Sequence, residues 1–286
     1  MNSISDQLVI GISTYERWGD LLKTLANVRI FFGYDVRVVV SVDGGVIPVD
    51  VRARLAALSV NLLESRERRG YIYHRNRMAF EASERYYMSL DDDSYVISGD
   101  MEKALTYLDE NKDVGVLAFP IRRLNGDWQL PSSREIPYQA RSYIGCGHIL
   151  RVADFRRLGG YDEGLVHQGE ELHYSALLLK HGLKCMHYPG IVVVHEVSQA
   201  GRSFDRMRFY TARNKTLWAY DYSPSILLFA IKMLRCCAEQ IALSISERRI
   251  ARIKGIVDGS WFILSKRRAR NPLNLVAFRL WNSLSF

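Results

Sequence analysis

The chain has 286 residues, of which 48% are hydrophobic and 24% are charged, and it carries a formal net charge of +8. This composition, without internal repeats, excludes a repeat or low-complexity protein and predicts one large folded domain or two smaller ones. The charge is uneven, because residues 201–286 hold 16 Lys and Arg against 5 Asp and Glu, while residues 1–200 hold 23 against 26. We therefore expect a near-neutral unit followed by a basic segment that faces an anionic surface.

The cysteines and the N-terminus bear on the compartment. Four cysteines occur, and none of them is spaced as C-x-x-C: Cys146, Cys185 and the adjacent pair Cys236 and Cys237. Adjacent cysteines rarely bridge each other, so this pattern predicts a reducing compartment. The first 14 residues have neither a basic segment nor a long apolar core, so we expect no signal peptide and a cytoplasmic protein.

The first half of the chain alternates between strand and helix patterns. Apolar, β-branched runs at residues 8–14 and 36–43 predict strands, and the segment at 19–30 has apolar residues at helical spacing. Strand, helix and strand in this order form a βαβ unit with parallel strands. The further elements predicted by the same patterns are a helix at 68–84, a strand at 85–91, a helix at 99–111 and a strand at 114–120.

The second half is less regular before it returns to the same pattern. Residues 121–145 are polar and aromatic with two prolines, which is typical of a loop near a binding site. Residues 147–165 then predict a strand, a short helix and a turn, 169–184 a helix, and 184–196 a strand that ends at His195. The whole pattern predicts an α/β fold with a mixed sheet.

Three consecutive aspartates, Asp91, Asp92 and Asp93, come at the end of the strand predicted at 85–91. Their mutual repulsion is costly unless a positive charge lies among them. In an open α/β sheet, ligands bind at the carboxyl ends of the strands, where these side chains emerge. Hard divalent cations take carboxylate oxygens and commonly keep phosphate oxygens as further ligands. The aspartates therefore predict a metal-assisted phosphate site in preference to a solvated acidic turn.

Five motifs occur in the order and at the spacing of one enzyme family. They are STYER at 13–17, VDGG at 42–45, HRNRMAFEASERYYMSLDDD at 74–93, RLGGYDE at 157–163 and GEE at 169–171. With these motifs, the chain resembles the family 2 nucleotide-sugar glycosyltransferases over roughly residues 8–215. The resemblance implies an α/β, Rossmann-like, mixed-sheet A-type glycosyltransferase domain in residues 1–215 and a C-terminal amphipathic helical tail in residues 216–286.

The resemblance also implies the reaction. A sugar is transferred with inversion from a nucleoside diphosphate donor to a hydroxyl of a glycan or lipid-linked acceptor, with a UDP-sugar preferred and a dTDP-sugar as second choice. Similar proteins commonly serve bacterial surface polysaccharide or lipopolysaccharide assembly, and we expect the same pathway here. A metal ion, Mn²⁺ or Mg²⁺, stabilises the charge that develops on the leaving diphosphate.

Site residues follow from the matched motifs. By resemblance, Asp93 holds the metal and Asp92 reaches the ribose, but the residues themselves do not separate the role of Asp91 from that of Asp92. A histidine in the position of His195 completes the metal site in similar enzymes, and imidazole suits Mn²⁺ better than Mg²⁺. The metal ligands implied are thus Asp93, Asp91 and His195, and the nucleotide-sugar-binding residues are Ser13, Thr14, Tyr15, Arg17, Asp43, Arg75, Asn76, Asp91 and Asp92.

The adjacent Glu170 and Glu171 open the helix predicted at 169–184. The helix macrodipole alone favours carboxylates in a first turn, so an ordinary helix start also explains them. By family position, the general base that accepts the acceptor's proton is Glu171, where most members carry Asp. The longer side chain leaves Glu170 as the second candidate for this catalytic role.

Residues 223–246 predict an amphipathic helix with a wide apolar face. Its longest uninterrupted apolar run, Ile226–Ile231, has six residues, far below the ~20 of a spanning helix. Lys232, Arg235 and Glu239 recur at helical spacing on the opposite face. With the basic segments that follow, this predicts peripheral binding to anionic lipid on the cytoplasmic face of the inner membrane. The alternative is a helix packed on the catalytic domain, with its charges in water.

Two other functions compete with glycosyl transfer. A sugar-phosphate nucleotidyltransferase shares metal-bound phosphates in a similar fold, but usually has a Gly-rich basic loop that the segment GISTYERWGD at 11–20 does not supply. A non-catalytic nucleic-acid-binding protein is suggested by the positive charge, yet its basic residues would be interleaved with aromatic ones. Here the basic residues cluster beside apolar helix, so we expect no nucleic-acid partner.

Overall fold

The computed structural model describes residues 3–197 and 203–285, which form two compact units. The first, named here the sheet unit, comprises Met1–Tyr161 and Leu183–Ala200. The second, named the helical unit, comprises Asp162–Gly182 and Gly201–Ser285.

All strands in the described ranges belong to the sheet unit. In chain order they are β1 (Leu8–Thr14), β2 (Arg37–Val42), β3 (Val60–Glu64), β4 (Tyr86–Asp91), β5 (Ser94–Gly99), β6 (Val114–Ala118), β7 (Ile121–Arg122), β8 (Trp128–Leu130), β9 (Tyr138–Gln139), β10 (His148–Arg151), β11 (Lys184–His187) and β12 (Ile191–His195).

Helices flank the strands in the sheet unit and make up the helical unit. In the sheet unit they are α1 (Ile4–Gln7), α2 (Trp18–Phe32), α3 (Val49–Ala57), α4 (Tyr71–Glu81), α5 (Met101–Glu110) and α6 (Val152–Arg157). In the helical unit they are a 3₁₀ turn (Glu163–Leu165), α7 (Glu170–Lys180), α8 (Phe204–Tyr222), α9 (Ile226–Glu247), α10 (Ala251–Ser265) and α11 (Leu275–Ser283).

The larger sheet has the strand order β3-β2-β1-β4-β10-β6-β11-β9. Strands β1 to β4 are mutually parallel, β10 is antiparallel to both neighbours, and β6 pairs with β11 in parallel. Leu21, Leu25 and Val28 of α2 are fully buried in the same core as the apolar residues of β1 and β2. The predicted α/β fold with a mixed sheet is therefore confirmed, and the parallel strands open their carboxyl ends at one edge.

The smaller sheet has the order β5-β12-β7-β8 and brings distant segments to this edge. Strand β5 begins directly after the aspartates, and β12 pairs antiparallel to it with His195 opposite Ser94. The backbone amide of Glu196 donates to the carbonyl of Asp93 over 2.9 Å. The end of β12 is thus fixed beside the turn that contains Asp91, Asp92 and Asp93, called the acidic turn below.

The region predicted as a loop at 121–145 contains β7, β8 and β9. Strands of two or three residues have no sequence periodicity of their own, so pattern reading misses them. Their pairing with β12, with one another and with β11 is what makes them strands. The loop assignment was wrong for these residues.

The helical unit is held together by close packing of α8 and α10. A Cβ added at Gly255 would lie 2.2 Å from the carbonyl oxygen of Phe209, and one at Gly259 would lie 2.8 Å from that of Arg213. The two glycines therefore let the helix backbones approach closely. A second core in this unit contains the buried residues Ala176, Trp218, Tyr222, Leu273, Phe278 and Trp281.

The domain boundary predicted at residue 215 lies inside α8, Phe204–Tyr222. A cut there would separate Trp218 and Tyr222 from the first part of their own helix. The assignment of residues 216–286 to membrane association stays a prediction. None of the helices in the described ranges has the length and hydropathy that crossing a bilayer requires.

Candidate active site

The acidic turn at the end of β4 is compensated by arginine. Asp92 and Asp93 are each only 2% exposed. Arg17 donates from Nε to Asp92 Oδ2 over 3.1 Å and from Nη1 to Asp93 Oδ2 over 3.1 Å, and its Nη2 also contacts Asp92. The positive charge that three adjacent aspartates require is therefore present in the protein itself.

Further hydrogen bonds hold the turn in place. Thr14 donates from its hydroxyl to Asp92 Oδ2 over 2.7 Å, and Thr24 of α2 donates to the Asp92 carbonyl over 2.9 Å. Arg75, which is 4% exposed, donates to Asp91 Oδ1 over 2.6 Å. The end of β1, α2 and α4 thus each contribute one polar side chain to the turn.

His195 faces the turn with a ring nitrogen, Nε2, that has no hydrogen-bond partner among the residues the structure describes. Its Nδ1 lies 2.9 Å from Oε1 of Gln129, an acceptor, so Nδ1 carries the proton. In the neutral ring, Nε2 is then an acceptor, and it lies 3.3 Å from Oδ1 of Asp93. Two acceptors at this distance repel unless a cation lies between them or the imidazole is protonated.

The donor set fits a divalent metal. Ligand atoms of Asp91, Cys146 and His195 all lie within 4.8 Å of one another. Asp93 Oδ1 also lies 3.3 Å from His195 Nε2, and carboxylate oxygens with one imidazole suit Mn²⁺, whereas the Cys146 thiol is a softer ligand. Gln129 fixes the ring orientation of His195, as outer-shell partners of metal-ligating histidines do. Neither Gln129 nor Cys146 was predicted from the sequence, because β8 and the segment before β10 contain no motif that marks them.

Asp43 lies at the end of β2 in a ring of donors. Its Oδ1 accepts from the amide of Arg69 over 2.5 Å, both oxygens accept from the amide of Gly70 over 3.0 Å, and Oδ1 lies 2.9 Å from His74 Nε2. His74 Nδ1 in turn lies 2.7 Å from the hydroxyl of Ser41. Burial opposes ionisation, but the hydrogen bonds from His74, Arg69 and Gly70 outweigh it and lower the pKa of Asp43.

His74 was missed as a site residue although it begins the predicted motif at 74–93. It is fully buried, and its bonds to Ser41 and Asp43 orient the Asp43 carboxylate. The signal available in the sequence was its position one turn into the helix that follows a glycine. The sequence does not show which side chains are in contact, so the contact between His74 and Asp43 is known only from the structure.

The other predicted nucleotide-binding residues lie along the same edge. Ser13 is paired in register with Ser41 on one side and Asp91 on the other. The Tyr15 ring is covered by the guanidinium of Arg68, 3.8 Å from the ring centroid. Arg68 is thus a further basic side chain at the edge, and the sequence did not single it out.

Asn76 contacts the protein backbone with both ends of its amide. Nδ2 donates to the carbonyl of Tyr161 over 2.9 Å, and Oδ1 accepts from the Tyr161 amide over 2.9 Å. The Tyr161 hydroxyl lies 2.9 Å from the hydroxyl of Tyr143 and 2.9 Å from the ring nitrogen Nε2 of His148. These contacts give Asn76 a structural part, and its predicted nucleotide contact stays a prediction.

Glu170 and Glu171 begin α7 in the helical unit, as predicted. Glu170 is only 1% exposed and Glu171 is partly exposed. The residue before them, Gly169, has φ of 88°, and Gln168 has φ of 67°, so the chain turns sharply into the helix. Asn214 of α8 donates from Nδ2 to the carbonyls of Leu165, His167 and Gln168 and holds this turn.

A further acidic cluster, in the helical unit, is neutralised by an arginine side chain. Carboxylates of Asp162 and Asp221 and the ring of His173 lie within 4.8 Å of one another. Arg268 donates from Nε to Asp221 over 2.8 Å and from Nη2 to both aspartates. Although burial disfavours its charge, hydrogen bonding and attraction to the aspartates raise the pKa of Arg268. This cluster therefore forms an internal salt bridge.

The chain matches the family model of glycosyl transferase family 2 over residues 9–162, which is more than half of its length. It therefore belongs to glycosyl transferase family 2. The resemblance read from the motifs is confirmed. No curated protein matches the chain significantly in sequence.

Solved structures with the A-type glycosyltransferase fold are similar to the chain. GalNAc-T7, crystallised with UDP, GalNAc and Mn²⁺, is 16% identical with a TM-score of 0.59 over 77% of this chain and 51% of its own. S. aureus TarS is 17% identical with a TM-score of 0.55 over 84% and 44%. The mannosyltransferase PcManGT from Pyrobaculum calidifontis, in complex with GDP-Man and Mn²⁺, is 14% identical with a TM-score of 0.60 over 92% and 88%. At these identities the likeness shows the fold.

The chain spans about half the length of the first two of these proteins, 51% of GalNAc-T7 and 44% of TarS. It spans most of PcManGT, 88%.

Proposed function

We propose that the protein is a metal-dependent, inverting glycosyltransferase that uses a nucleoside diphosphate sugar. The observation that carries this is the buried acidic turn at the carboxyl ends of the parallel strands of a mixed sheet, with His195 Nε2 facing Asp93 over 3.3 Å. Membership in glycosyl transferase family 2 supports it. So do the structures of similar fold that contain UDP or GDP-Man with Mn²⁺.

The donor's nucleoside half is assigned to the ends of β1 and β2. Asp43, held ionised by His74 and two backbone amides, is suited to accept hydrogen bonds from a nucleobase. Ser13 and Tyr15 adjoin it, Asp92 serves the ribose, and Thr14 positions Asp92. A carboxylate already oriented by several donors loses little freedom when a ligand binds.

The donor's diphosphate half is assigned to the acidic turn and its arginines. Arg17 and Arg75 bring fixed positive charge to Asp91, Asp92 and Asp93. When bound by Asp93, Asp91 and His195, Mn²⁺ or Mg²⁺ neutralises charge on the leaving diphosphate. Arg17 stabilises the same developing charge from the protein side.

Glu171 is assigned as the general base. A carboxylate that removes the proton from the acceptor hydroxyl allows one direct displacement at the anomeric carbon, which inverts its configuration. Glu170, being almost fully buried, is less accessible to an acceptor than Glu171. The assignment rests on the family position of Glu171 and on this difference in exposure.

The acceptor is a glycan or lipid-linked hydroxyl, and the pathway is bacterial surface polysaccharide or lipopolysaccharide assembly. The basic helical unit then brings the enzyme to an anionic membrane surface at the cytoplasmic face. Among donors we keep the UDP-sugar as first choice and the dTDP-sugar as second. The similarity to a GDP-mannose-bound structure over 92% of the chain makes GDP-sugars the third donor class to test.

A thermal-shift screen tests the proposal. UDP-, dTDP- and GDP-sugars are added with and without Mn²⁺, and a ligand at ~100 times its Kd stabilises the fold by about 2.7 kcal/mol. We expect one nucleotide class to raise the melting temperature only when Mn²⁺ is present. If no sugar nucleotide does so, the proposal fails. Pyrophosphate release from a sugar phosphate and a nucleoside triphosphate would instead identify a nucleotidyltransferase.

A further inference from the structure

Helix α9 exposes a row of apolar side chains, while two of its three buried residues are polar. Its buried residues are Cys236, Gln240 and Ser244, which follow one another at i, i+4 and i+8. An apolar row at helical spacing is instead exposed, and we call it the α9 stripe: Leu227, Ile231, Leu234, Ile241 and Ile245. Leu234 and Ile245 are each 72% exposed. A contiguous row of large, solvent-exposed apolar side chains marks an interaction surface.

A groove of about 500 Å³ adjoins the stripe. Ile231 belongs to both, since it lines the groove and is 39% exposed. The aromatic rings of Trp218 and Phe278 form part of the groove wall. Its charged lining residues are Lys215, Lys232, Arg235 and Glu239.

The charges in the groove leave a positive excess. Lys215 pairs with Glu239 over 2.8 Å, so the one acidic side chain of the lining neutralises one basic side chain. Lys232 Nζ lies over the rings of Trp218 and Phe278, at 4.6 and 4.8 Å from their centroids. In the described parts of the chain, Arg235 makes no ion pair or side-chain hydrogen bond. The lining therefore holds three basic side chains against one acidic one, beside apolar walls.

Trp218, in the wall of the groove, carries a buried hydrogen-bond donor. It is only 6% exposed, and its Nε1 has no hydrogen-bond partner within the described residues. A buried indole N–H usually has an acceptor, because desolvating it without one is unfavourable.

We propose that this groove binds the phosphate head group of an anionic lipid while the α9 stripe enters the surrounding bilayer. A lipid carries an anionic head group next to apolar chains. In the same way, the cationic groove lies next to the apolar α9 stripe, and Ile231 belongs to both. Free phosphate would explain the cations alone, and a second copy of the chain would explain the stripe alone. The inference rests on the membrane association proposed above and specifies the face that makes it.

The test compares vesicle binding by the full chain and two charge variants. Flotation with phosphatidylcholine vesicles, with and without phosphatidylglycerol, is measured without nucleotide. Arg235→Glu reverses a charge at an exposed lining position, and Arg54→Glu makes the same change on α3 of the sheet unit. We expect Arg235→Glu to weaken binding to the anionic vesicles about tenfold or more and Arg54→Glu to leave it unchanged. Equal effects of the two variants would overturn the groove assignment.

Two further variants test the stripe. Leu234→Ser with Ile241→Ser removes two of its exposed side chains, and Ile30→Ser with Val49→Ser removes exposed apolar side chains of the sheet unit. The first pair should reduce the binding that persists at high salt, and the second should not. A full chain that ignores anionic vesicles but dimerises through the stripe in light scattering would refute the proposal.

The same preparations are assayed for metal-dependent stabilisation by sugar nucleotides. If the unmutated full chain fails to bind anionic vesicles but is stabilised by sugar nucleotides, the lipid site is refuted and the glycosyltransferase proposal stands. The opposite result refutes the proposed catalytic function and leaves the lipid site standing.

Discussion

Nε2 of His195 lies 3.3 Å from Oδ1 of Asp93, and the other ring nitrogen donates to Gln129. In the neutral ring, this arrangement directs the lone pair of Nε2 at a buried carboxylate. The relationship fits a metal site and makes Gln129 its outer-shell support.

Replacing Gln129 with Leu should lower Mn²⁺ affinity by about 10- to 100-fold, the usual cost of losing an outer-shell partner. The His195 ring would lose the acceptor that fixes its tautomer. Titration calorimetry with Mn²⁺ in the presence of the nucleotide product measures the change. Gln7→Leu, in the N-terminal helix α1, makes the same change at a position outside the assigned metal site. It is the control and should bind Mn²⁺ normally. Unchanged affinity in Gln129→Leu would contradict the assigned metal site.

Asp93→Asn should abolish sugar transfer and most metal-dependent nucleotide binding while the fold stays intact. The amide is a poor metal ligand, but it keeps the shape of the buried side chain. Transfer is followed with Mn²⁺ at saturating donor, and the melting temperature reports the fold. Asp50→Asn on the exposed face of α3 should leave both unchanged. Near-normal transfer by Asp93→Asn in Mn²⁺ would show that the metal-site assignment is wrong.

Glu171→Gln should lower kcat by about 100-fold or more with nearly unchanged donor affinity, because removing a general base affects the chemical step. Glu170→Gln is the matched control and should lower kcat less. Steady-state kinetics with donor titration separate the two effects. The reverse ranking would transfer the base to Glu170, and two mild effects would make both residues part of an ordinary helix start.

Asp43→Asn should destabilise the protein at neutral pH, and the difference from the wild type should shrink on acidification. The pKa of Asp43 is lower in the folded protein than the unfolded value of about 3.9. Its stabilising contribution is therefore complete above that unfolded value and is lost as pH falls through the lower folded pKa. Urea unfolding from about pH 7 to about pH 3 measures the trend. If the difference in stability between the wild type and Asp43→Asn stayed constant over this pH range, the charge of the Asp43 carboxylate would not be its cause.

Gly11→Ala should destabilise the sheet unit by about 1–3 kcal/mol, as overpacking of a buried site does. A Cβ at Gly11 would lie 2.3 Å from the ring of Tyr87, which is fully buried and cannot swing into solvent. Gly19→Ala in the first turn of α2, where no atom lies within 4 Å of an added Cβ, is the control and should be neutral or slightly stabilising. Chemical unfolding measures both, and equal stabilities would mean that the Tyr87 ring moves aside.

The sequence by itself determined the local elements and the order of the motifs. The apolar runs at 8–14 and 85–91 predicted β1 and β4, because strands of a parallel sheet are buried on both faces and leave continuous apolar runs. The adjacent aspartates predicted a site that needs positive charge, and the motif order predicted the family. These features depend on neighbours along the chain, so the sequence records them directly.

The tertiary structure alone decided which distant side chains meet. His195 reaches Asp93 only because β12 pairs with β5, and Gln129 reaches His195 through short strands that have no periodicity. Arg17 was predicted as a nucleotide-sugar-binding residue, and only the fold shows it paired with Asp92 and Asp93. Such contacts depend on sheet pairing across long stretches of chain, which residue patterns do not encode.

Helix α9 shows the same division between sequence and structure. Its periodicity predicted an amphipathic helix, and the structure has one over Ile226–Glu247. The side that is buried, however, carries Cys236, Gln240 and Ser244, and much of the apolar side faces outward. Periodicity defines the two faces of a helix, but only the packing of neighbouring helices decides which face is covered.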